Sequence, residues 1–275
     1  MLLVAVLALC AQLPMEPPHQ SGQSITGAFE GWFANNDGSS TILVGYFNRN
    51  QSEALEIPVG ANNRIEPGGP DRGQPTYFLP GRQWGMFTIR VPKDFGAARL
   101  TWTITANGKT TVIPLNIDPL WLLSPYKDAS DNTPPFVSFK AEEPGSQGPP
   151  IGVAKTYEAT VGSPQHLDVW LADDAMMPLG GSAIATRLPA ARATWTKFRG
   201  PGEVKFSPAA PMTEKTVRTG MPPQVKFTAK AATSATFSAP GEYWLNVAAN
   251  DWSGEGGSGF QCCWSTARVR VLVRP

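Results

Sequence analysis

Apolar and polar residues alternate with a period of two along most of the chain, the signature of strands that bury one face. The cleanest stretch is 100–106, where Leu100, Trp102 and Ile104 share one face and Thr101, Thr103 and Thr105 the other. Residues 85–91 set Phe87, Ile89 and Val91 against Thr88 and Arg90. The same pattern predicts strands over 24–33, 41–47, 54–59 and 110–115. Asp37-Gly38 and Asn107-Gly108 supply the tight turns between neighbours. Between them, 60–84 (GANNRIEPGGPDRGQPTYFLPGRQW) shows no alternation and reads as a long irregular loop.

Residues 116–135 (NIDPLWLLSPYKDASDNTPP) break the pattern with four prolines and read as a partly stiff connector. Its Leu120–Leu123 patch is expected to pack between two units. Alternation then resumes over 136–140, 156–161, 166–172, 193–198, 204–206, 224–229, 232–237, 242–249 and 267–273. Leu167, Val169 and Leu171 share a face, as do Tyr243, Leu245 and Val247, and Val269, Val271 and Val273. No stretch carries helical periodicity. The expected fold is all-β, two β-sandwich domains in tandem. The expected organisation is an export leader and linker over 1–23, an N-terminal sandwich over 24–118, a proline-rich linker over 119–135, and a C-terminal sandwich over 136–275.

Composition refines this picture. Gly and Pro, 27 each among 275 residues, stand well above their combined share of roughly 12% in ordinary chains. With 41% hydrophobic residues the excess reads as turns rather than disorder. A net charge of +1 argues against nucleic acid as a partner, since phosphates call for a basic stripe. The opening MLLVAVLALCAQL resembles the apolar heart of a secretion signal and is too short to span a bilayer. Export to the periplasm, the cell surface or the medium is the expectation, with a lipid on Cys10 as a variant of it. Apart from Cys10 only Cys262 and Cys263 remain, which is neither a disulfide framework nor a CxxC metal site.

Residues 235–251 (ATFSAPGEYWLNVAAND), followed by 267–273 (ARVRVLV), resemble the C-terminal half of bacterial Ig-like domains of the PKD and cadherin-like type. The resemblance covers about 40 residues and implies an Ig-like sandwich for the second unit, in a disulfide-free form, with Trp195 as the core tryptophan of its third main strand. The chain as a whole resembles secreted bacterial proteins, which implies location and no activity.

Three groups of side chains are candidates for function. In an Ig-type topology the loops after the second and sixth strands share one end. That end would gather Asp173, Asp174, Met176, Met177, Asn250, Asp251, Trp252, Cys262, Cys263 and Trp264. Asp173, Asp174 and Asp251 suit Ca²⁺, and the sulfur groups suit Cu(I). Asp and Asn also end strands by bonding turn backbone, with no metal and no cofactor. A second group, Trp244, Asn246, Arg268 and Arg270, lies on the outer face of the last strands. It reads as a partner surface or sugar platform, or as a face packed on the first unit. The third group, Arg64, Arg72, Arg82 and Trp84, with Glu66 and Asp71 beside them, would line a recognition loop in 60–84.

Enzyme signatures are missing: no GxSxG elbow, phosphate loop or dinucleotide fingerprint occurs. The leading expectation is a non-catalytic extracytoplasmic interaction or structural module, an accessory subunit of an envelope or membrane-associated assembly. The alternatives are a metal-handling protein or enzyme using the Asp173/Met176/Cys262 pole, and a carbohydrate-binding accessory.

Overall fold

The computed structural model describes residues 19–128, 131–176, 189–251 and 263–275. The first unit contains β1 (Ile25–Ala34), β2 (Ser40–Asn48), β3 (Leu55–Glu56), β4 (Asn63–Glu66), β5 (Tyr77–Phe78), β6 (Gly81–Val91), β7 (Leu100–Ala106) and β8 (Lys109–Leu115). They form one sheet of order β1-β2-β6, a second of order β4-β7-β8, and a short β3-β5 ribbon. Every pairing is antiparallel. The two sheet orders correspond to the A-B-E and C-F-G halves of an immunoglobulin sandwich.

Ile42, Val44, Tyr46, Phe87, Trp102 and Ile104 fill the space between these sheets. Phe87 meets Trp102 edge-on at 5.1 Å. The Trp102 indole donates to Asn63 Oδ1 at 3.0 Å, and Asn63 Nδ2 donates to the carbonyls of Ile57 and Pro75. Such satisfied buried amides tie the loop backbone to the core. Stretch 60–84 is therefore not the irregular loop its sequence suggested: β4, β5 and the first turnless residues of β6 run through it.

The second unit contains β9 (Phe136–Ser138), β10 (Ser146–Gln147), β11 (Lys155–Thr160), β12 (Gln165–Asp173), β13 (Arg192–Arg199), β14 (Val204–Ser207), β15 (Thr213–Lys215), β16 (Phe227–Phe237), β17 (Gly241–Asn250) and β18 (Trp264–Arg274). One sheet has the order β10-β9-β12-β16-β14, with β15 also on β16; the other has the order β11-β18-β17-β13. β11 runs parallel to β18. This is the A-B-E-D and A′-G-F-C arrangement of an Ig-like domain, so the chain is an all-β tandem of two Ig-like sandwiches.

Leu167, Val169 and Leu171 share a core with Tyr243, Leu245, Val247, Val269 and Val271. Trp195 is buried on β13, the third main strand. The Tyr243 hydroxyl donates to the carbonyl of Ala239 at 2.8 Å, the corner bond that Ig-like domains make where their sixth strand begins. Leu245, two residues on, stands where antibody-type domains carry their second bridging cysteine, and apolar packing replaces the bridge.

Two sequence expectations are corrected here. Residues 224–229 and 232–237 are not two strands: β16 runs unbroken because Ala229, Ala231, Thr233, Ala235 and Phe237 keep every second position buried. The 120–123 patch is not sandwiched between the units. Pro119–Trp121 forms a 3₁₀ turn that lies on β1, with Trp32 donating to the Asp118 carbonyl and Leu123 donating its N–H to the Trp32 carbonyl. Leu120 is left 89% exposed.

Candidate functional site: a cleft between the two sandwiches

The outer face of β13, β17 and β18 turns toward the first unit. A bulge between Lys197 and Arg199 throws Phe198 out of its own sandwich, and it joins the buried core of the first one. The Phe198 carbonyl accepts the N–H of Thr76 at 3.2 Å. Arg199 then grips Asp71 with both terminal nitrogens, at 2.9 and 2.8 Å, and donates through Nε to the Gln74 carbonyl at 2.7 Å. Lys197 Nζ stands 3.3 Å from Glu56 and 4.6 Å from the Tyr77 ring. On the neighbouring edge, Thr88 Oγ1 donates to the Pro150 carbonyl.

This geometry corrects the picture of an open face. Asn246 and Arg268 are 2% and 6% exposed, and half-buried Trp244 stacks on Phe198 at 6.4 Å with the rings 8° from parallel. Arg270 lies opposite Trp244 in the β17–β18 register. Arg268 is held at three points. Its Nε donates to Asn246 Oδ1 and its Nη2 to the Met86 carbonyl, each at 2.9 Å, and its guanidinium lies 3.8 Å from the Phe198 ring centre. Burial, and then the neighbouring Arg199 charge, push its pKa down to about 9, so it stays protonated at neutral pH. The tryptophan and arginines that marked a partner surface in the sequence are the joint between the two sandwiches.

The residues expected to form a recognition loop separate. Arg64 pairs with Glu66 at 2.9 Å within its own strand, and Arg72 donates to the Pro67 carbonyl at 2.7 Å. Asp71, between them in sequence, is the group that Arg199 holds. Arg82 and Trp84 lie on β6, with the Arg82 guanidinium 3.8 Å from the Trp84 ring centre. So the 60–84 stretch does recognise something, and what it recognises is the second unit of the same chain.

Around Arg82 the first sheet is deformed in a specific way. β1 bulges between Phe29 and Gly31, and β6 bulges where Trp84, Gly85 and Met86 face the single residue Gly45. Buried Glu30 occupies this point: one carboxylate oxygen accepts from Arg82 at 2.8 Å, the other from the Gly85 N–H at 2.9 Å. Gly45 has to be glycine, because a Cβ there would come 2.1 Å from Glu30 Oε1 and 2.4 Å from the Gln83 carbonyl oxygen. Trp264 lies against Gly85, where a Cβ would come within 3.3 Å of the indole.

Facing this bulge, the second unit presents three cross-strand rows: Thr196–Asn246–Arg268, Thr194–Ala248–Thr266 and Arg192–Asn250–Trp264. The middle row is short and its neighbours are long, so a hollow opens between the units. The resulting cleft, about 240 Å³, is walled by Arg82, Gln83, Trp84 and Met86 on one side and, on the other, by the threonines and asparagines of these rows with Ala248 and Trp264. Asn246 lines it. Because Arg268 fixes Asn246 Oδ1 as an acceptor, Nδ2 is left as a buried donor with no hydrogen-bond partner among the described residues. The sequence pointed to Trp84, Asn246, Asn250 and Trp264, but for different surfaces. It gave no signal for the threonine row or for Ala248.

Next to Asn250 along the chain, Asp251 joins Asp174 in acting on the carboxyl of Asp173. Asp173 is 1% exposed; burial, reinforced by the Asp174 and Asp251 charges against one bond from the Ala175 N–H, lifts its pKa to about 8. Asp174 accepts from the Thr133 hydroxyl and N–H, and Asp251 from Asn132 Nδ2 at 2.7 Å. Met176 is exposed and donates its N–H to Asp174. Cys263 is buried and disulfide-bonded. Met177, Trp252 and Cys262 lie outside the described residues. Among the described residues, no group of three or more His, Cys, Asp or Glu is arranged to hold a metal ion. The acidic oxygens act instead as acceptors for turn backbone and amide donors. No described helix is long and apolar enough to cross a membrane.

Fold and joint together define a tandem of Ig-like sandwiches fastened to each other through side chains of both, with a polar, aromatic-walled cleft at the seam. No protein-family model and no curated protein matches the sequence. Among solved structures the chain is similar to a PapD-like domain of human CEP192, at 11% identity and TM-score 0.26 over 52% of this chain and 85% of that one. It is also similar to domains 4 and 5 of the S-layer protein SbsC, at 12% identity and TM-score 0.25 over 65% of this chain and 66% of that one. The D0-D1 domains of intimin follow at 13% identity and TM-score 0.23, over 90% and 97%. Scores this low leave the Ig-like assignment to the strand order itself.

Proposed function

We propose that the chain is a non-catalytic, extracytoplasmic recognition and structural module, working as one stiff two-sandwich unit in an envelope or surface assembly. The observation that carries this reading is the joint. Phe198 inserted into the neighbouring core and the two-pronged Arg199–Asp71 pair fix one sandwich on the other, which suits a chain that presents a surface at a set geometry. Support for export comes from the apolar stretch over 2–9, which resembles the heart of a secretion signal. The two histidines add no reactive constellation: His19 bridges to Asn50 at the edge of the first sandwich, and His166 is exposed at the start of β12.

The test is mild crosslinking of the tagged full chain in its native envelope, followed by capture. A stoichiometric envelope component recovered with the wild type is the expected result. Recovery of the chain alone, in the soluble cytoplasm, would overturn the reading.

A further inference from the structure

We infer that the cleft at the seam is a binding site for a single neutral sugar residue. This deepens the reading of the chain as a recognition module and rests on it, while replacing the outward Trp244 platform, which the joint covers.

Four features of the cleft select that chemistry. Its size, about 240 Å³, falls below the ~300 Å³ at which pockets for drug-sized ligands begin, and suits one ring rather than a chain. Its walls include two indoles, Trp84 and Trp264, one from each sandwich. Its floor is the Thr194–Ala248–Thr266 row, so hydroxyls flank a small apolar centre. Beside that floor, Asn246 carries a buried amide donor without an acceptor, a group that favours a ligand oxygen.

A pyranose ring has the matching parts: an apolar C–H face for an indole and a rim of hydroxyls that both donate and accept. An anionic ligand fits less well, because the one guanidinium on the wall, Arg82, is already bound to Glu30 and to the carbonyls of Tyr46 and Gln83. An apolar ligand would leave the amide and hydroxyls of the second unit dry and unpaired.

Trp84 is pre-positioned for this work. The Glu30 carboxylate fixes Arg82 and the bulge at Gly85, and Arg82 covers one face of the Trp84 indole. The Trp84 wall is therefore set before any ligand arrives, which lowers the cost of binding.

The experiment uses the full chain and saturation-transfer NMR with glucose, galactose, mannose and N-acetylglucosamine at millimolar concentration. Two variants are compared with wild type: Ala248→Leu, which fills the hollow, and Thr194→Val, which removes one hydroxyl at constant shape. The expected result is binding of at least one sugar by the wild type, weakened at least about tenfold by Ala248→Leu and severalfold by Thr194→Val, with thermal midpoints unchanged. Should Ala248→Leu fail to fold, Thr194→Val alone decides. Sugar binding that neither variant alters would overturn the site. Absence of any sugar binding, with an envelope partner still captured, would overturn the sugar inference and leave the module reading standing. Absence of both would overturn the two together.

Discussion

Asp173 shows how much a single side chain can weigh in this fold. Its carboxyl is buried at the end of β12 and accepts one backbone N–H through Oδ2, while Oδ1 has no hydrogen-bond partner among the described residues. Its pKa rises from 3.8 to about 8. Between those values the folded protein binds a proton that the unfolded chain has released, so stability falls as pH rises from about 4 to 8 and levels off above. Asp173→Asn keeps a neutral group there at every pH. The variant is expected to lose most of this slope and to gain on the order of a few kcal/mol relative to wild type at pH 8, read from urea unfolding across the range. The sequence marked Asp173 and offered two readings of it, a cation ligand or an acceptor for turn backbone, and its bond from the Ala175 N–H is of the second kind. For Arg268, alternation put the side chain correctly on the outer face and left two readings open, a partner surface or a face packed on the first unit; the bond to the Met86 carbonyl is of the second kind.

At the scale of elements, periodicity carried the prediction furthest where both sides of a strand have distinct environments. β7, β12, β17 and β18 were legible because apolar side chains take every second position over 100–104, 167–171, 243–247 and 267–273, the stretches that face a core. β16 shows the limit: its inward residues are mostly alanines, too small and too common to announce a strand, so its middle read as a break. A paired substitution tests its continuity. Ala231→Asp places an unpaired charge in the core and is expected to cost more than about 3 kcal/mol, whereas Ala232→Lys, on the exposed side and opposite Asp168, should change stability by no more than ~0.5 kcal/mol. Equilibrium urea unfolding of both reads the difference, and similar values for the two would mean that the strand does break there. Bulges were invisible for a physical reason. The three at Glu30, Gly85 and Phe198 shift the phase of alternation by a residue, and only the partner strand reveals the shift. Those bulges build the joint and the cleft, so the fold class was readable and the site was not.

For the whole molecule, the joint decides behaviour. Arg199→Ala removes both bonds to Asp71 and the bond to Gln74, and uncovers Trp244, over which its guanidinium lies at 4.7 Å. Half of the Asp71 side chain is solvent-exposed, so the loss is expected to be about 1–2 kcal/mol after screening. The main readout is shape: small-angle X-ray scattering should give a larger radius of gyration for the variant. Acid should do the same to the wild type. The Arg199 bonds hold the Asp71 carboxyl below its ordinary value of 3.8, so the pair contributes fully above that pH and is lost as pH falls through the lower folded value. Once the pH has fallen through that lowered value, wild type and variant should therefore converge, and a difference that stays constant through the whole acid range would sink the assignment.

β18 also has a mechanical meaning. It is hydrogen-bonded along both edges, antiparallel to β17 from Gly241↔Val273 to Asn250↔Trp264 and parallel to β11 from Lys155↔Val269 to Thr160↔Arg274. Tension along this strand meets two ladders whose bonds lie across the pull, so they must shear together rather than open one at a time. A pull directed along β18 would therefore meet the resistance of both ladders at once.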